Sequence, residues 1–396
     1  MDNLDESMNS VRHMFPGATR QVYLDVSSRG LIPLTAKESL DRYLDDRIHG
    51  TSDKAQMFST VERVRDKFAR LINAEPDEVA FMKNISDGIC TVATAFDWQR
   101  GQTVLLCRDV EHPNNVYPWL NLAERVGIRV RSVPAVDGHV PVDALIDAID
   151  DSTRVVSVSS VSFVPGFRTD LAELGTACRE RGVFLLVDGA QSVGVLDSDV
   201  ERLKIDGLVT ATQKGLLGLY GMGFLYVRRD WADRMRPMAL ARFGVDLGHA
   251  HEASIGTDGI RLMAGARRFE IGNYNYPAAA ALEPCLDLIL SRGQGAIETH
   301  ACRLARNLAE GLVELGLPVA GGDHAPHRSH IVCVGSHGGS HEGTDDPDTS
   351  ALHQALVAAG VKHALRGGMI RLSAHLYNDN EDIARTVAAA REWVFA

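Results

Sequence analysis

The stretch VFLLVDGAQSVG, residues 183–194, decides the fold because it leads from a strand into a tight turn through a carboxylate. The residues before Asp188 form an unbroken apolar run, which is typical of a strand buried on both faces of a parallel sheet. Asp188 ends this run and is followed at once by the small residues Gly189 and Ala190. A buried carboxylate without a partner is costly. We therefore expect a cationic group to meet Asp188.

Strands alternate with amphipathic helices along the first 260 residues. Predicted helices place apolar residues on one face, as in Val61, Val64 and Phe68. The segments that read as strands are DEVAFM (77–82), QTVLLC (102–107), IRVRSVP (128–134), RVVSVSSVSF (154–163), GLVTAT (207–212) and GFLYVRR (223–229). This alternation predicts the α/β class, with a mostly parallel sheet that is covered on both sides.

The pattern of the chain changes after about residue 260. An Ala- and Leu-rich region, roughly 277–316, predicts helices that link two domains, and short strands and helices follow it. The strands expected there include VKHALRGG (361–368) and MIRLSAHLY (369–377). We expect three parts: an N-terminal arm at 1–20, a large domain at 21–275, and linking helices with a small C-terminal α/β domain at 276–396.

Composition disfavours several classes of partner. Hydrophobic residues make up 45% of the 396 residues and the net charge is −11, so nucleic acid and anionic membranes are unfavourable partners. No apolar run reaches the length of about 18 residues that a membrane span needs. The acidic start MDNLDESMNS does not resemble a signal peptide, and the six cysteines form no CxxC pair. These features favour reduced thiols and a cytoplasmic protein.

Four polar residues follow four predicted strands. Ser86, His112, Asp188 and Lys214 each come just after a strand, and ligands of parallel sheets bind beyond the carboxyl ends of the strands. Each residue alone has an ordinary explanation, such as a helix cap, a loop histidine or a solvent-exposed lysine. Together they predict one pocket that holds a carbonyl cofactor.

The segment around Asp188, with Lys214 placed 26 residues later (214 − 188), resembles the class V aminotransferases. These are fold-type I pyridoxal-phosphate (PLP) enzymes, which include cysteine desulfurases and isopenicillin N epimerase-like proteins. The resemblance runs from VYLDVSSRGLIP (22–33) to MIRLSAHLYNDNEDI (369–383). It implies a large, mostly parallel-sheet domain, a smaller C-terminal α/β domain, and pyridoxal 5′-phosphate as cofactor.

The resemblance assigns catalytic roles to three residues. Lys214 is implied to form an imine with the cofactor aldehyde and then to move a proton at the substrate Cα. Asp188 is implied to hydrogen-bond the pyridine nitrogen and keep it protonated, which makes the ring an electron sink. The pyridinium is then the cation expected next to Asp188. His112 is implied to stack on the other face of the ring.

Further cofactor contacts are implied by the same resemblance. Backbone N–H groups at a helix start suit the phosphate, and Asn273 matches a residue that reaches the phosphate across a dimer interface. A homodimer with composite active sites follows from this. The implied contacts are Ile85, Ser86, Asp87 and Gln213 for the phosphate, Ala190 under the ring, Gln191 at the phenolic oxygen, and Phe163 where relatives have an asparagine.

Arginines are implied to bind an amino-acid substrate. Arg371 matches the residue that grips the substrate carboxylate, a bidentate task suited to guanidinium. Arg366 is a second candidate, with a surface role as its alternative. Arg29 can bind a second carboxylate, or it is an exposed turn arginine.

One departure from the family bears on the reaction. Cysteine desulfurases need a nucleophilic cysteine on a mobile loop near the C-terminal arginine, but only GGMI separates Arg366 from Arg371, and no cysteine follows Cys333. We therefore expect an enzyme that forms a carbanion at the Cα of an amino acid, of aminotransferase or epimerase type. A β-eliminating lyase, such as a C–S lyase, remains the alternative. A persulfide-forming desulfurase is not expected.

Non-enzymatic and metal-binding alternatives have weaker support. A sensor that binds the cofactor without turnover is disfavoured because the catalytic set is present. GLLGLYGMG (215–223) begins at a lysine and lacks the P-loop pattern of a nucleotide site. His249 and His251 form a lone HxH, which is weak evidence for a metal, and we expect no metal site.

Overall fold

The computed structural model describes residues 8–248, 259–323, 325, 327–338 and 342–396. His249 and His251 lie outside the described residues. The strands, in chain order, are β1 (Val22–Tyr23), β2 (Val79–Met82), β3 (Thr103–Leu106), β4 (Arg129–Ser132), β5 (Thr153–Ser159), β6 (Phe184–Asp188), β7 (Gly207–Ala211), β8 (Gly223–Val227), β9 (Ile331–Val334), β10 (Val361–Lys362), β11 (Ala364–Arg366) and β12 (Met369–Ser373).

A seven-stranded sheet forms the centre of the molecule, in the order β2-β8-β7-β6-β5-β3-β4. The neighbouring pairs from β7 to β4 are parallel, and β8 is antiparallel to both β7 and β2. All five residues of β6 are buried, as its apolar run predicts. The expected mostly parallel sheet is present, with one reversed strand.

Helices cover both faces of this sheet. Asn84 caps the helix that begins at Ile85 by accepting the Asp87 N–H. In the helix Lys54–Leu71, apolar residues such as Phe68 are buried against the sheet, where the Phe68 ring stacks on the Phe224 ring. The helices are α1 (Pro16–Arg20), α2 (Leu34–His49), α3 (Lys54–Leu71), α4 (Ile85–Ala95), α5 (Tyr117–Val126), α6 (Val142–Asp147), α7 (Leu171–Glu180), α8 (Arg229–Ala232), α9 (Tyr276–Arg292), α10 (Gln294–Glu314), α11 (Pro347–Ala358) and α12 (Asn380–Val394).

A smaller antiparallel sheet, β11-β12-β9, lies in the C-terminal part of the chain. Apolar residues of β9 and β12 pack with those of α10, α11 and α12 in one core cluster. The continuous strand expected over 361–368 is instead split at His363. β10 pairs with β1, whereas β11 pairs with β12, so one predicted strand serves two sheets. The strand expected over 369–377 ends at Ser373.

Residues 8–20 pack against the rest of the chain. Phe15 is fully buried and its ring lies 5.0 Å from that of Tyr377. The Arg12 guanidinium donates to the carboxylate of Asp382 in α12 at 2.8 Å. The three-part division of the chain stays a prediction. None of the described helices combines the length and the apolar character needed to cross a bilayer.

Candidate cofactor site

A cavity of about 290 Å³ lies beyond the carboxyl ends of β5, β6 and β7. Strand β2 ends at the same edge, because it is parallel to β7 through the reversed β8. The four residues predicted to converge all line this cavity. Other predicted cofactor contacts line it as well. The predicted residues found in the lining are Ile85, Ser86, His112, Phe163, Asp188, Ala190, Gln191, Gln213 and Lys214.

Asp188 is a buried carboxylate at the floor of the cavity. One of its oxygens accepts the Ala190 N–H at 2.8 Å. Burial raises its pKa, and the Ala190 hydrogen bond and the charge of Lys214 act in the opposite direction. A protonated ring nitrogen would give this carboxylate a cationic partner, so the residue fits the pyridine end of PLP.

Lys214 is the buried amine of the cavity. Its pKa is lowered to about 8, chiefly by burial and then by the charges of Arg371 and Arg366, while Asp188 acts in the opposite direction. A larger neutral fraction at physiological pH makes the amine both a nucleophile and a base. The backbone of Gly30 packs closely against the backbone of Lys214. A Cβ at Gly30 would lie only 2.3 Å from the Lys214 carbonyl oxygen.

The start of α4 forms one wall of the cavity. Asn84 accepts the Asp87 N–H at 2.9 Å, while the first N–H groups of the helix, at Ile85 and Ser86, have no partner inside the helix. Such a helix start favours a phosphate. The Asp87 carboxylate accepts the Lys83 N–H at 2.9 Å and its own N–H is donated to Asn84, so Asp87 does not line the cavity and its predicted contact stays a prediction.

His112 and Gln191 both line the cavity. The His112 ring lies 5.0 Å from the Phe163 ring in an edge-on arrangement, and its Nδ1 accepts the Asn114 N–H at 3.2 Å. The Gln191 amide donates to the Ser27 carbonyl oxygen at 3.3 Å, while its Oε1 is buried without a hydrogen-bond partner among the described residues. An unsatisfied buried oxygen indicates a polar ligand in this space.

Arg371 lies behind the cavity and is 1% exposed. Its guanidinium donates to Ser28 Oγ at 2.9 Å and to the Phe163 carbonyl oxygen at 3.2 Å. Burial lowers its pKa to about 10. In the described part of the chain it has no carboxylate within ion-pair distance, so a bound anion would supply its missing counter-charge.

The remaining predicted residues lie outside the cavity lining. The side chains of Arg29 and Asn273 are exposed, and Arg366 lies 3.6 Å from Glu342. The structure therefore brings together the predicted cofactor residues except Asp87 and Asn273, and none of the three substrate arginines lines the cavity. The roles of all these residues stay predictions.

Sequence reasoning missed several residues of the site. Ser159 lines the cavity at the end of β5, and the same strand-end rule that selected Asp188 would have found it. Glu111 is buried behind it, but a glutamate in a polar loop reads as exposed, so the sequence carried no signal. Asn114 and Tyr220 also line the cavity.

The segment between Arg366 and Met369 is a two-residue hairpin turn. Gly367 and Gly368 have φ of 56° and 87°, which suits the tight turn that joins β11 to β12. Cys333 lies opposite Arg371 in β9, fully buried, and burial raises its pKa to about 12. The turn offers no place for a loop with a thiol, and Cys333 is not poised as a nucleophile.

The parallel sheet with a buried amine and a buried carboxylate at its carboxyl edge defines a fold-type I PLP enzyme. The model of the class V aminotransferase family matches residues 22–386, and the chain belongs to this family. The probable cysteine desulfurase of Methanothermobacter thermautotrophicus is 30% identical over 94% of both chains. The uncharacterized aminotransferase YcbU of Bacillus subtilis is 28% identical over 98% of this chain and 97% of its own.

A solved structure has the same architecture. The cystine C-S lyase C-DES, in complex with its reaction product cysteine persulfide, superposes with a TM-score of 0.83 at 26% identity, over 96% of this chain and 99% of that chain. The predicted family, fold, enzymatic character and PLP cofactor are confirmed. The relative from Methanothermobacter thermautotrophicus is named a probable cysteine desulfurase, which conflicts with the expectation that this chain is not a desulfurase. The two chains are only 30% identical.

Proposed function

We propose that this enzyme acts on an α-amino acid by moving the proton at Cα, and that it is of aminotransferase or epimerase type. The observation that carries the proposal is the shared cavity of Lys214 and Asp188, with Arg371 close by, bound to Phe163 and Ser28 and without a carboxylate within ion-pair distance among the described residues. PLP, when bound, supplies the electron sink for the electron pair left at Cα.

The lowered pKa of Lys214 supports its role as the proton carrier. With a pKa of about 8, the amine can accept a proton near neutral pH and return it afterwards. When PLP is bound, Asp188 would hold the ring nitrogen and His112 would pack on the ring. The helix start at Ile85 and Ser86 would hold the phosphate.

Arg371 is proposed to bind the α-carboxylate of the substrate. Its Nε is buried without a hydrogen-bond partner among the described residues, which leaves one guanidinium donor unused and suited to a carboxylate. A charge-assisted pair in this setting orients the Cα towards Lys214. Arg366 is the candidate for a second anionic group, because its charge acts on Lys214 and its partner Glu342 is largely exposed. Arg29 is retained as a more distant candidate.

A homodimer with composite sites is part of the proposal. Asn273 is exposed next to Ile271, an apolar residue that is 52% exposed. A second copy would cover this segment and place Asn273 at the phosphate of the partner site. A cytoplasmic location is proposed from composition alone.

A β-eliminating C–S lyase is the second candidate. The similarity to the cystine C-S lyase C-DES favours it, and this chemistry needs no thiol from the protein. Persulfide formation on the enzyme is disfavoured by the glycine turn at 367–368 and by the buried Cys333, although a relative carries the name of a desulfurase.

Exchange of the Cα hydrogen with solvent deuterium tests the proposal. The holoenzyme is incubated in D₂O with each proteinogenic amino acid in both enantiomers, and products are assayed as keto acid, inverted amino acid, or pyruvate with sulfide. Exchange with a keto acid or an inverted product supports the first proposal, whereas pyruvate with sulfide supports the lyase. Absence of exchange with every amino acid contradicts both, and a persulfide on any of the six cysteines contradicts the exclusion of a desulfurase.

A further inference from the structure

A second carboxyl group lies buried behind the cofactor cavity. Glu111 precedes His112 in the chain and receives three hydrogen bonds. Its Oε1 accepts the Ser159 N–H at 2.6 Å, and its Oε2 accepts the Ser159 hydroxyl at 2.6 Å and the Asn115 amide at 2.8 Å. Asn115 is held in turn by the Ser157 hydroxyl at 2.7 Å. Glu111 thus ties the segment that carries His112 to the end of β5.

This carboxyl group stands next to Asp188. Ser159, which holds Glu111, is the residue paired with Asp188 in the parallel register of β5 and β6. Ser159 and Asp188 both line the cavity, so their side chains lie on one face of the sheet. The site therefore has one carboxylate, Asp188, that lines the cavity and a second, Glu111, that lies outside the lining and close enough for the charge of Asp188 to act on it.

The charges around Glu111 favour retention of a proton. Its pKa is raised to about 7, chiefly by burial and also by the negative charge of Asp188, while the donors Ser159 and Asn115 act in the opposite direction. The thiol of Cys107, from the same connection after β3, also interacts with Glu111. No arginine or lysine in the described part of the chain lies within ion-pair distance of Glu111, so the proton is the main source of neutralisation.

We propose that Glu111 is a positioning residue that sets the negative charge behind Asp188 and fixes the segment carrying His112. When Glu111 loses its proton, a second negative charge lies behind Asp188, and the ring nitrogen held by Asp188 is protonated more strongly. The electron-withdrawing power of the site then rises with pH through the neutral range. This inference rests on the proposed placement of Asp188 against the cofactor ring.

The pH titration of the visible absorption of the holoenzyme, without substrate, tests the inference. The wild type should show an inflection near pH 7, which Glu111→Gln removes because an amide does not titrate. Glu111→Gln should also weaken PLP binding about tenfold, measured by equilibrium dialysis. Glu78→Gln is the matched control, since Glu78 is a buried glutamate that accepts two backbone N–H groups away from the cavity. It should leave the titration unchanged.

A second variant keeps the test informative if Glu111→Gln does not fold. Ser159→Ala removes a donor that lowers the pKa of Glu111, so the inflection should move to higher pH. An unchanged inflection in Glu111→Gln or Ser159→Ala, or an equal change in Glu78→Gln, would overturn the inference. Asp188→Asn separates the two proposals: if it alters the cofactor spectrum while Glu111→Gln does not, only the inference on Glu111 fails.

Discussion

Replacing Lys214 with methionine should stabilise the cofactor-free protein while it abolishes activity. The structure leaves Lys214 only partly exposed and lowers its pKa from 10.5 to about 8, chiefly through burial and the positive charge of Arg371. At about 1.4 kcal/mol per pKa unit, this shift destabilises the folded apoprotein by roughly 3 kcal/mol at neutral pH. Methionine fills a similar volume without a charge.

The gain should depend on pH in a defined direction. A lysine whose pKa is lowered by folding destabilises the protein fully below its folded pKa, near 8, and the penalty disappears as the pH rises through the unfolded value near 10.5. The free energy of unfolding of the Lys214→Met apoprotein should therefore be higher than that of the wild-type apoprotein by roughly 3 kcal/mol at about pH 7. This difference should shrink towards zero as the pH rises to about 10 and above.

Urea unfolding of the two cofactor-free proteins across this pH range measures the difference. Lys362→Met, at an exposed lysine of β10, is the control and should show no such gain. A Lys214→Met protein that is less stable than wild type, or whose advantage is the same at both ends of the range, would refute the burial argument. The holoprotein should show no Cα exchange, and borohydride should no longer fix the cofactor to position 214.

Three further outcomes are expected. Asp188→Asn keeps the volume but removes the charge, so the rate of Cα deuterium exchange should fall by roughly 10²-fold or more; an unchanged rate would remove Asp188 from the mechanism. Arg371→Lys should raise the KM of the exchange reaction about tenfold because the bidentate donor is lost, whereas an unchanged KM would place the carboxylate elsewhere. Gly30→Ala should destabilise the fold by roughly 1–3 kcal/mol through its contact with the Lys214 carbonyl, as thermal unfolding would show. Gly295→Ala, where a Cβ meets open space in α10, is its control and should be neutral or stabilising.

Local patterns in the chain were sufficient to predict much of this protein. The apolar run before Asp188 predicted a fully buried strand, and β6 is buried at every position. The strand-end rule brought Ser86, His112 and Lys214 to the same cavity. It applies because the carboxyl ends of parallel strands meet at one edge, so spacing along the chain translates directly into proximity.

Other features depended on contacts between distant segments. His363 interrupts a predicted strand because β10 finds its partner at Val22–Tyr23, more than 300 residues earlier in the chain. The burial of Glu111 depends on Ser159 and Asn115, and hydrogen-bonding partners of this kind do not show in the pattern of a single segment.

The sequence by itself determined the class of the molecule, the edge of the sheet at which the cavity lies, and the lysine and aspartate that line this cavity. These follow from short-range periodicity and from the fixed polarity of parallel strands. Only the tertiary structure decided how strongly each group is perturbed, that Arg371 has no carboxylate within ion-pair distance in the described part of the chain, and that Glu111 is buried near Asp188. Burial and electrostatic interactions arise when segments far apart in the chain pack together and exclude water. The pattern of a single segment therefore does not reveal them.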